Sequence, residues 1–372
     1  MQNSEHVSHL NVSPSYEIES RTEATTPFEL GRQYKFRFKG TASEYFGIWI
    51  VNILLTIITL GLYAPWAKVR RLRYFYGNTW FIQRRFDFTG LPTKILVGRL
   101  IALAIYGAFT LAMKYSASMV LVGFVLIFLA IPWLIRSTIR FRARNSKFGN
   151  SRFYFSGSNK SAYWCFLKCF LVTFLTFLTF LTMGLFFPVA VWLYKRECLN
   201  QLYVGQLKFY LNAEWPTYMR AMYMPILLFV AGMAVLGFVL GLVSSMNSTL
   251  NSAQYISLFL IGYVVAYLFI WPLMLARIFI CSWNSTTLNR SQFITDCNQW
   301  RYAWIILTNW FAKIISLGLL TPWAAIRLYK YQVESLKLLL VDDPDHLINQ
   351  LQQDHNAIAE ELSDLFDLDI SL

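Results

Sequence analysis

The sequence predicts an all-α polytopic membrane protein. It has four full spans, three further helices broken at a repeated Gly-x-x-x-Pro that either re-enter or cross, and short cytoplasmic β-strands. Three observations carry the prediction. Of 372 residues, 56% are hydrophobic and only 14% charged, against about 25% charged in soluble domains. The apolar residues are gathered into blocks. And one breaker recurs three times, as TLGLYAPWA (59–67), TMGLFFPVA (182–190) and SLGLLTPWA (316–324).

Residues 1–33 are polar, rich in Ser, Thr and Glu, and lack a signal-peptide layout; they read as a disordered tail. Residues 34–340 form the membrane domain, with internal pseudo-repeats over 34–113, 150–243 and 290–340. Within it, 119–135, 221–243 and 256–276 carry no charge, and each approaches the roughly 20 residues that cross a bilayer core. Residues 95–113 form a fourth span, with Arg99 near one end. Between these blocks lie FRFKG (36–40), FDFTG (86–90) and FYFSG (153–157), with weaker relatives LKFYL (207–211) and SQFIT (291–295). Alternation with period two predicts short strands. Asn78, Asn145, Asn200 and Asn284 precede four of them as turn residues. Residues 341–372 form an acidic tail with apolar positions on one helical face, suited to docking on a basic surface.

The three broken segments share a hydroxyl (Thr59, Thr182, Ser316), a glycine two residues on (Gly61, Gly184, Gly318) and a proline four after that (Pro65, Pro188, Pro322). Proline suits the first turn of a helix, so each could start a return piece. Charge bears on their course. Residues 36–340 hold 30 Lys/Arg against six acids, while the last 32 residues hold nine acids and no cation. If the broken segments re-enter, 29 of the loop cations fall on one side and one (Lys114) on the other; if they cross, the split is 18 to 12. The positive-inside rule favours re-entry. The length of 46–66 and of 302–323 still allows an ordinary span.

The stretch EYFGIWIVNILLTIITLGLYAPWAKVRRLRYFYGNT, followed by FDFTG and the VGR at 97–99, resembles the YjgN-like family of bacterial inner-membrane proteins, a domain of unknown function. The resemblance runs over roughly 34–340, and TLGLYAPWAKVR is its most specific part. It implies a multi-pass location in the bacterial inner membrane and brings no reaction, substrate or catalytic residue.

The residues themselves disfavour an enzyme. All four histidines (His6, His9, His346, His355) lie in the tails, and neither a phosphate-cradling glycine loop nor a nucleophile elbow is present. No cofactor or metal is expected. The five cysteines, two of them (Cys165 and Cys169) on one helical face, read as small buried thiols. The polar side chains left inside the broken segments suggest a path: Asn52, Thr56 and Thr59; Thr179 and Thr182; Asn309, Lys313 and Ser316. Packing by interhelical hydrogen bonds is the plainer account of them. Lys313, deep in an apolar block, is a functional-site candidate or a snorkelling lysine. Arg70, Arg71, Arg73, Arg196, Arg327 and Lys330, after the prolines, suit anionic lipid headgroups or an anion. The expected function is therefore translocation, by channel or transporter, of a small and plausibly anionic solute. The alternative is a non-enzymatic lipid-binding or scaffolding protein. Expected partners are the bilayer, anionic phospholipid headgroups and an unidentified solute. A homo-oligomer is allowed and nucleic acid is not expected.

Overall fold

The computed structural model describes residues 32–113, 118–149, 151–178, 186–246 and 251–341. The polar N-terminal tail, the acidic C-terminal tail, Thr179, Thr182 and Gly184 lie outside these residues.

The all-α prediction is overturned. The short strands form one antiparallel sheet of eleven segments: β1 (Gln33–Lys35), β2 (Arg37–Phe38), β3 (Thr79–Phe81), β4 (Arg84–Phe88), β5 (Ser146–Phe148), β6 (Ser151–Phe155), β7 (Leu202–Val204), β8 (Leu207–Leu211), β9 (Thr286–Leu288), β10 (Ser291–Thr295) and β11 (Leu336–Leu339). Their order is β1-β11-β10-β9-β8-β7-β6-β5-β4-β3-β2. The two ends of that order, β1 and β2, are consecutive pieces of one strand interrupted only at Phe36. The sheet therefore joins itself and closes into a barrel. Closure is sealed by Phe36 N–H donating to Leu336 O (3.2 Å) and Lys39 N–H donating to Asn78 O (2.9 Å). Closing the sheet leaves no edge to pair with another chain.

Among the described residues, ten helices are strung between the strands. They are α1 (Ala42–Ile58), α2 (Ala64–Gly77), α3 (Pro92–Met113), α4 (Ser118–Arg144), α5 (Asn159–Leu178), α6 (Phe187–Asn200), α7 (Trp215–Met246), α8 (Ser252–Asn284), α9 (Gln299–Ile315) and α10 (Thr321–Glu334). Each helix packs on its neighbours in sequence, and α10 packs on α1, so the helices also make a ring. Every pair (α1–α2, α3–α4, α5–α6, α7–α8, α9–α10) leaves the barrel and returns to it.

Four helices are long and apolar enough to cross a membrane: Pro92–Leu111, Val120–Arg144, Trp215–Met246 and Ala253–Asn284. These are the four spans the sequence predicts. α1 and α9 are shorter, at 17 residues, or about 25 Å at 1.5 Å per residue. Each ends in a Schellman turn, the local answer to the repeated Gly-Leu. Gly61 N–H donates to Thr56 O and Leu60 N–H to Ile57 O (2.7 and 3.1 Å). Gly318 N–H to Lys313 O and Leu317 N–H to Ile314 O repeat the same distances. Leu60 and Leu317 have φ of 50°, and Gly61 and Gly318 have φ of 91° and 90°. The motif hydroxyls accept from the next helix: Thr59 Oγ1 from Tyr63 N–H and Ser316 Oγ from Leu320 N–H, both 3.0 Å. Pro65, Pro188 and Pro322 then open α2, α6 and α10 in their first turns, buried. The tips are bare hydrocarbon: Leu60 is 95% exposed and Leu317 94%. An apolar tip of that kind belongs in lipid rather than in water.

Candidate functional site

The second strand of each hairpin places one phenylalanine in the barrel lumen. Phe36, Phe86, Phe153, Phe209 and Phe293 form a closed pentagon, with successive ring centroids 6.3, 6.3, 6.5, 6.0 and 6.3 Å apart. The first strands contribute Phe81, Phe148, Val204, Leu288 and Leu338, all turned inwards. Register pairs the two sets across strands: Phe86 with Phe148, Phe153 with Val204, Phe209 with Leu288 and Phe293 with Leu338. The period-two aromatics are thus the inner wall of a barrel, where a side chain on every second residue must face inwards.

These side chains and the ends of α2, α4, α8 and α10 line a partly open cavity of about 600 Å³. The wall is almost wholly carbon. Its charged members are two guanidiniums, Arg84 and Arg142. Arg142 comes from the last turn of α4, is exposed and lies among the cavity's lining residues. It lies within electrostatic reach of Lys68 on α2, which also feels Arg99 on α3. The cavity thus has one cation on its helical side, Arg142, and one on its largely aromatic barrel side, Arg84.

The residues singled out in the sequence fall into other places. Asn52 and Asn309 are buried in α1 and α9 and meet matching arginines. Arg70 Nη1 donates to Asn52 Oδ1 (3.4 Å) and Arg327 Nη1 to Asn309 Oδ1 (3.3 Å). Asn309 Nδ2 also donates to Ala324 O (2.9 Å). Arg70 further reaches the Tyr63 hydroxyl, and Arg327 reaches Thr308 Oγ1. These contacts tie each outgoing helix to its return. Thr56 Oγ1 donates to Asn52 O within α1. Lys313 sits half-buried in the last turn of α9, where its charge suits the helix C-terminus. Arg73 donates from Nε to Phe88 O and from Nη2 to Gly90 O, and so fixes the exit of β4. Arg196 lies over the Trp192 ring, Lys330 pairs with Glu334, and Arg71 is exposed. None of these lines the cavity.

The turn asparagines split into two roles. Asn78 and Asn145 cap helix carbonyls through Nδ2 (2.9 and 2.8 Å). Asn200 and Asn284 accept from Leu211 and Thr295 backbone N–H (2.9 and 2.7 Å).

Sequence reasoning missed two things. One is Arg142, which stands in the cation-rich run RSTIRFRAR and looks like ordinary loop charge. The other is the Asn–Arg pairing. Its arginines, Arg70 and Arg327, each lie five residues after a proline. Counting the shared offset in both segments would have found it.

A family model described as a bacterial protein of unknown function (DUF898) matches residues 33–365. The inner membrane protein YjgN of Escherichia coli (strain K12) is 38% identical over 134 residues, 35% of this chain and 33% of the relative. The protein of that name from Salmonella typhimurium (strain LT2) is 30% identical over 128 residues, 34% and 32% of the two chains. The matched stretch thus spans about a third of the length of these curated relatives. No solved structure matches.

Proposed function

This chain belongs to the DUF898 family of bacterial proteins of unknown function, and from that premise we propose that it is a multi-pass inner-membrane protein that translocates an amphiphilic anion. The anion enters from the cytoplasmic leaflet, with its tail in the barrel and its head at Arg142. One observation carries the reading: a cavity of about 600 Å³ whose wall is almost wholly apolar, with Arg142 where it meets the helices and Arg84 on β4 as its charged members. Ligand sites typically run to about 300–1,000 Å³, with few polar groups placed to orient the ligand.

Magnitudes separate this from a channel for a small hydrated ion. Stripping an ion of water in an apolar chamber costs several kcal/mol at least. An alkyl tail gains about 0.8 kcal/mol per buried CH₂, so a ten-carbon chain gains about 8 kcal/mol. The location rests on the inner-membrane relatives and the four apolar helices. The cation bias favours a barrel on the cytoplasmic side. The recurrence of a helix pair followed by a hairpin supports internal repeats as the plan of the chain. The exposed Arg71 and Lys330 suit anionic headgroups at the same surface.

A second reading, retention of a lipid without transport, is favoured by the phenylalanine pentagon, which crowds the barrel axis. One set of experiments tests both. Lipid extracted from the purified chain is identified by mass spectrometry, and movement of a fluorescent fatty acid is followed in proteoliposomes. Bound single-chain anionic amphiphile with flux supports translocation, and Arg142→Gln lowers both. Bound amphiphile without flux supports retention. Neither binding nor flux overturns the cavity as the site.

A further inference from the structure

The outer wall of the barrel carries an unbalanced charge. Residues of β2 to β8 that alternate with the lumenal ones face outwards, and across segments 37–39, 79–88, 146–155 and 202–211 these include six cations (Arg37, Lys39, Arg85, Lys147, Arg152 and Lys208) and one acid, Asp87, while Arg84 faces the cavity. Asp87 Oδ1 accepts from the Phe88 backbone N–H. Lys147 stands directly across from Arg152 in the register, and Arg37 and Arg85 flank Trp80 on either side. Like charges set opposite on neighbouring strands destabilise a sheet. On its other side Lys147 faces Asp87 across β4 and β5, so a single carboxylate is set against the whole row of cations.

Aromatic rings lie among the cations. Lys39 sits 4.0 Å from the centre of the Trp80 ring and Lys208 4.8 Å from that of Tyr210. Hydrogen bonding to Tyr203 holds the Lys208 ammonium above its usual pKa, so it stays charged. The other side of the barrel differs. There Lys337 and Lys35 are paired with Asp296, at 2.5 and 3.9 Å.

We propose that the chain's own acidic segment, residues 342–372, docks on this basic and aromatic belt. The segment carries nine acids and no Lys or Arg, with Leu347, Leu351, Ile358, Leu362, Leu365 and Phe366 to set against the rings. It begins at the end of β11, where Leu340 still lines the cavity. Its 31 residues span about 100 Å extended and about 47 Å as a helix. Half the circumference of a barrel with strands about 4.8 Å apart is only about 24 Å, so the belt is within reach in either form. Tethering raises the effective concentration of the segment to about the millimolar range, which a free acidic partner must exceed. The inference is independent of what the cavity holds.

Zero-length carbodiimide cross-linking tests it on the full chain in zwitterionic nanodiscs, with peptides read by mass spectrometry. The expected result joins Lys147 and Lys208 to carboxylates of 342–372 at low salt, with yields falling at least tenfold in 0.5 M salt. A chain with Lys147→Gln and Arg152→Gln should also lose the link at Lys208, which remains present and reactive. Belt lysines that link to no tail carboxylate at low salt overturn the proposal. If those two substitutions instead weaken attachment to phosphatidylglycerol vesicles while no tail link is seen, the belt faces lipid and the proposal is equally overturned.

Discussion

The Phe88 ring folds back over Gly90 so closely that a β-carbon on the glycine would stand 2.5 Å from Cε1. Phe38 and Gly40, and Phe155 and Gly157, repeat the arrangement at 2.6 and 2.5 Å. The glycine of FxFxG thus makes room for an aromatic lid over the chain where it leaves the barrel for the next helix. Where the lid is smaller the rule relaxes, for the equivalent residues in the fourth strand pair are Leu211 and Ala213, both buried. Gly90→Ala should therefore cost about 1–3 kcal/mol by overpacking. Phe88→Leu with Gly90→Ala should cost less than the sum of the two single changes. A double-mutant cycle on thermal unfolding in detergent measures this, and additive costs would remove the lid as the reason for the glycine.

The strands were legible because the alternating aromatics are a local signal, but the barrel they build was not. The first strand of each covalent hairpin has three residues, as in TWF, SKF, LYV and TTL, too few to show a period. Closure pairs Gln33–Lys35 with Lys337–Leu339, about 300 residues apart in the chain. No pattern within a window of ten to twenty residues records that pairing. The breaker was legible because glycine and proline mark the chain wherever it turns. The polar residues near the breaker, Asn52 and Asn309, were legible as a pair but not in role, since the partner arginines lie 18 positions on.

The turn itself yields a second prediction. Gly61 has φ of 91°, and a β-carbon added there meets no atom within 4 Å. Any cost of Gly61→Ala is then backbone strain alone, about 1–2 kcal/mol. Gly318→Ala should match it, since Gly318 has φ of 90°. Gly107→Ala, in the middle of α3 with equally open surroundings, should be neutral or stabilising. Equal melting temperatures for all three variants would deny the left-handed geometry a role.

Tyr74 gives a prediction in pH. Its hydroxyl donates to Thr41 O (2.9 Å) and lies 3.0 Å from Glu44 Oε2, while Thr41 N–H donates to it (2.9 Å). Burial, then the hydrogen bond to Glu44, pushes its pKa from 10 up to about 12. The neutral phenol is the form the fold favours. Its contribution is therefore complete below pH 10 and is lost as pH rises through about 12. After allowance for solvent screening it amounts to about 1 kcal/mol. Tyr74→Phe should lower stability at pH 8 and approach the parent chain by pH 12. A gap that persists unchanged at pH 12 would mean that the proton on Tyr74 is not what stabilises the contact.

Membrane topology follows from the closed barrel. All hairpins belong to one sheet, so both ends of every helix pair lie on one side of the bilayer. α7 and α8, of 32 and 33 residues, run about 48 Å and cross fully. α1 and α9 run about 25 Å from the barrel to an apolar tip, against a hydrocarbon core of about 30 Å, so they are expected to stop inside it. Single cysteines at Ser43, Asn78, Asn200 and Ser335 in a Cys-free chain should label only from the cytoplasmic side. One at Asn251, at the far end of the α7–α8 pair, should label only from outside. Cysteines at Leu60 and Leu317 should resist water-soluble maleimide from both sides and react with a lipid-soluble one. Labelling of position 60 or 317 from outside would turn α1 or α9 into a true crossing. The return crossing would then fall to α2 or α10, each of only 14 residues or about 21 Å, short of a hydrocarbon core of about 30 Å.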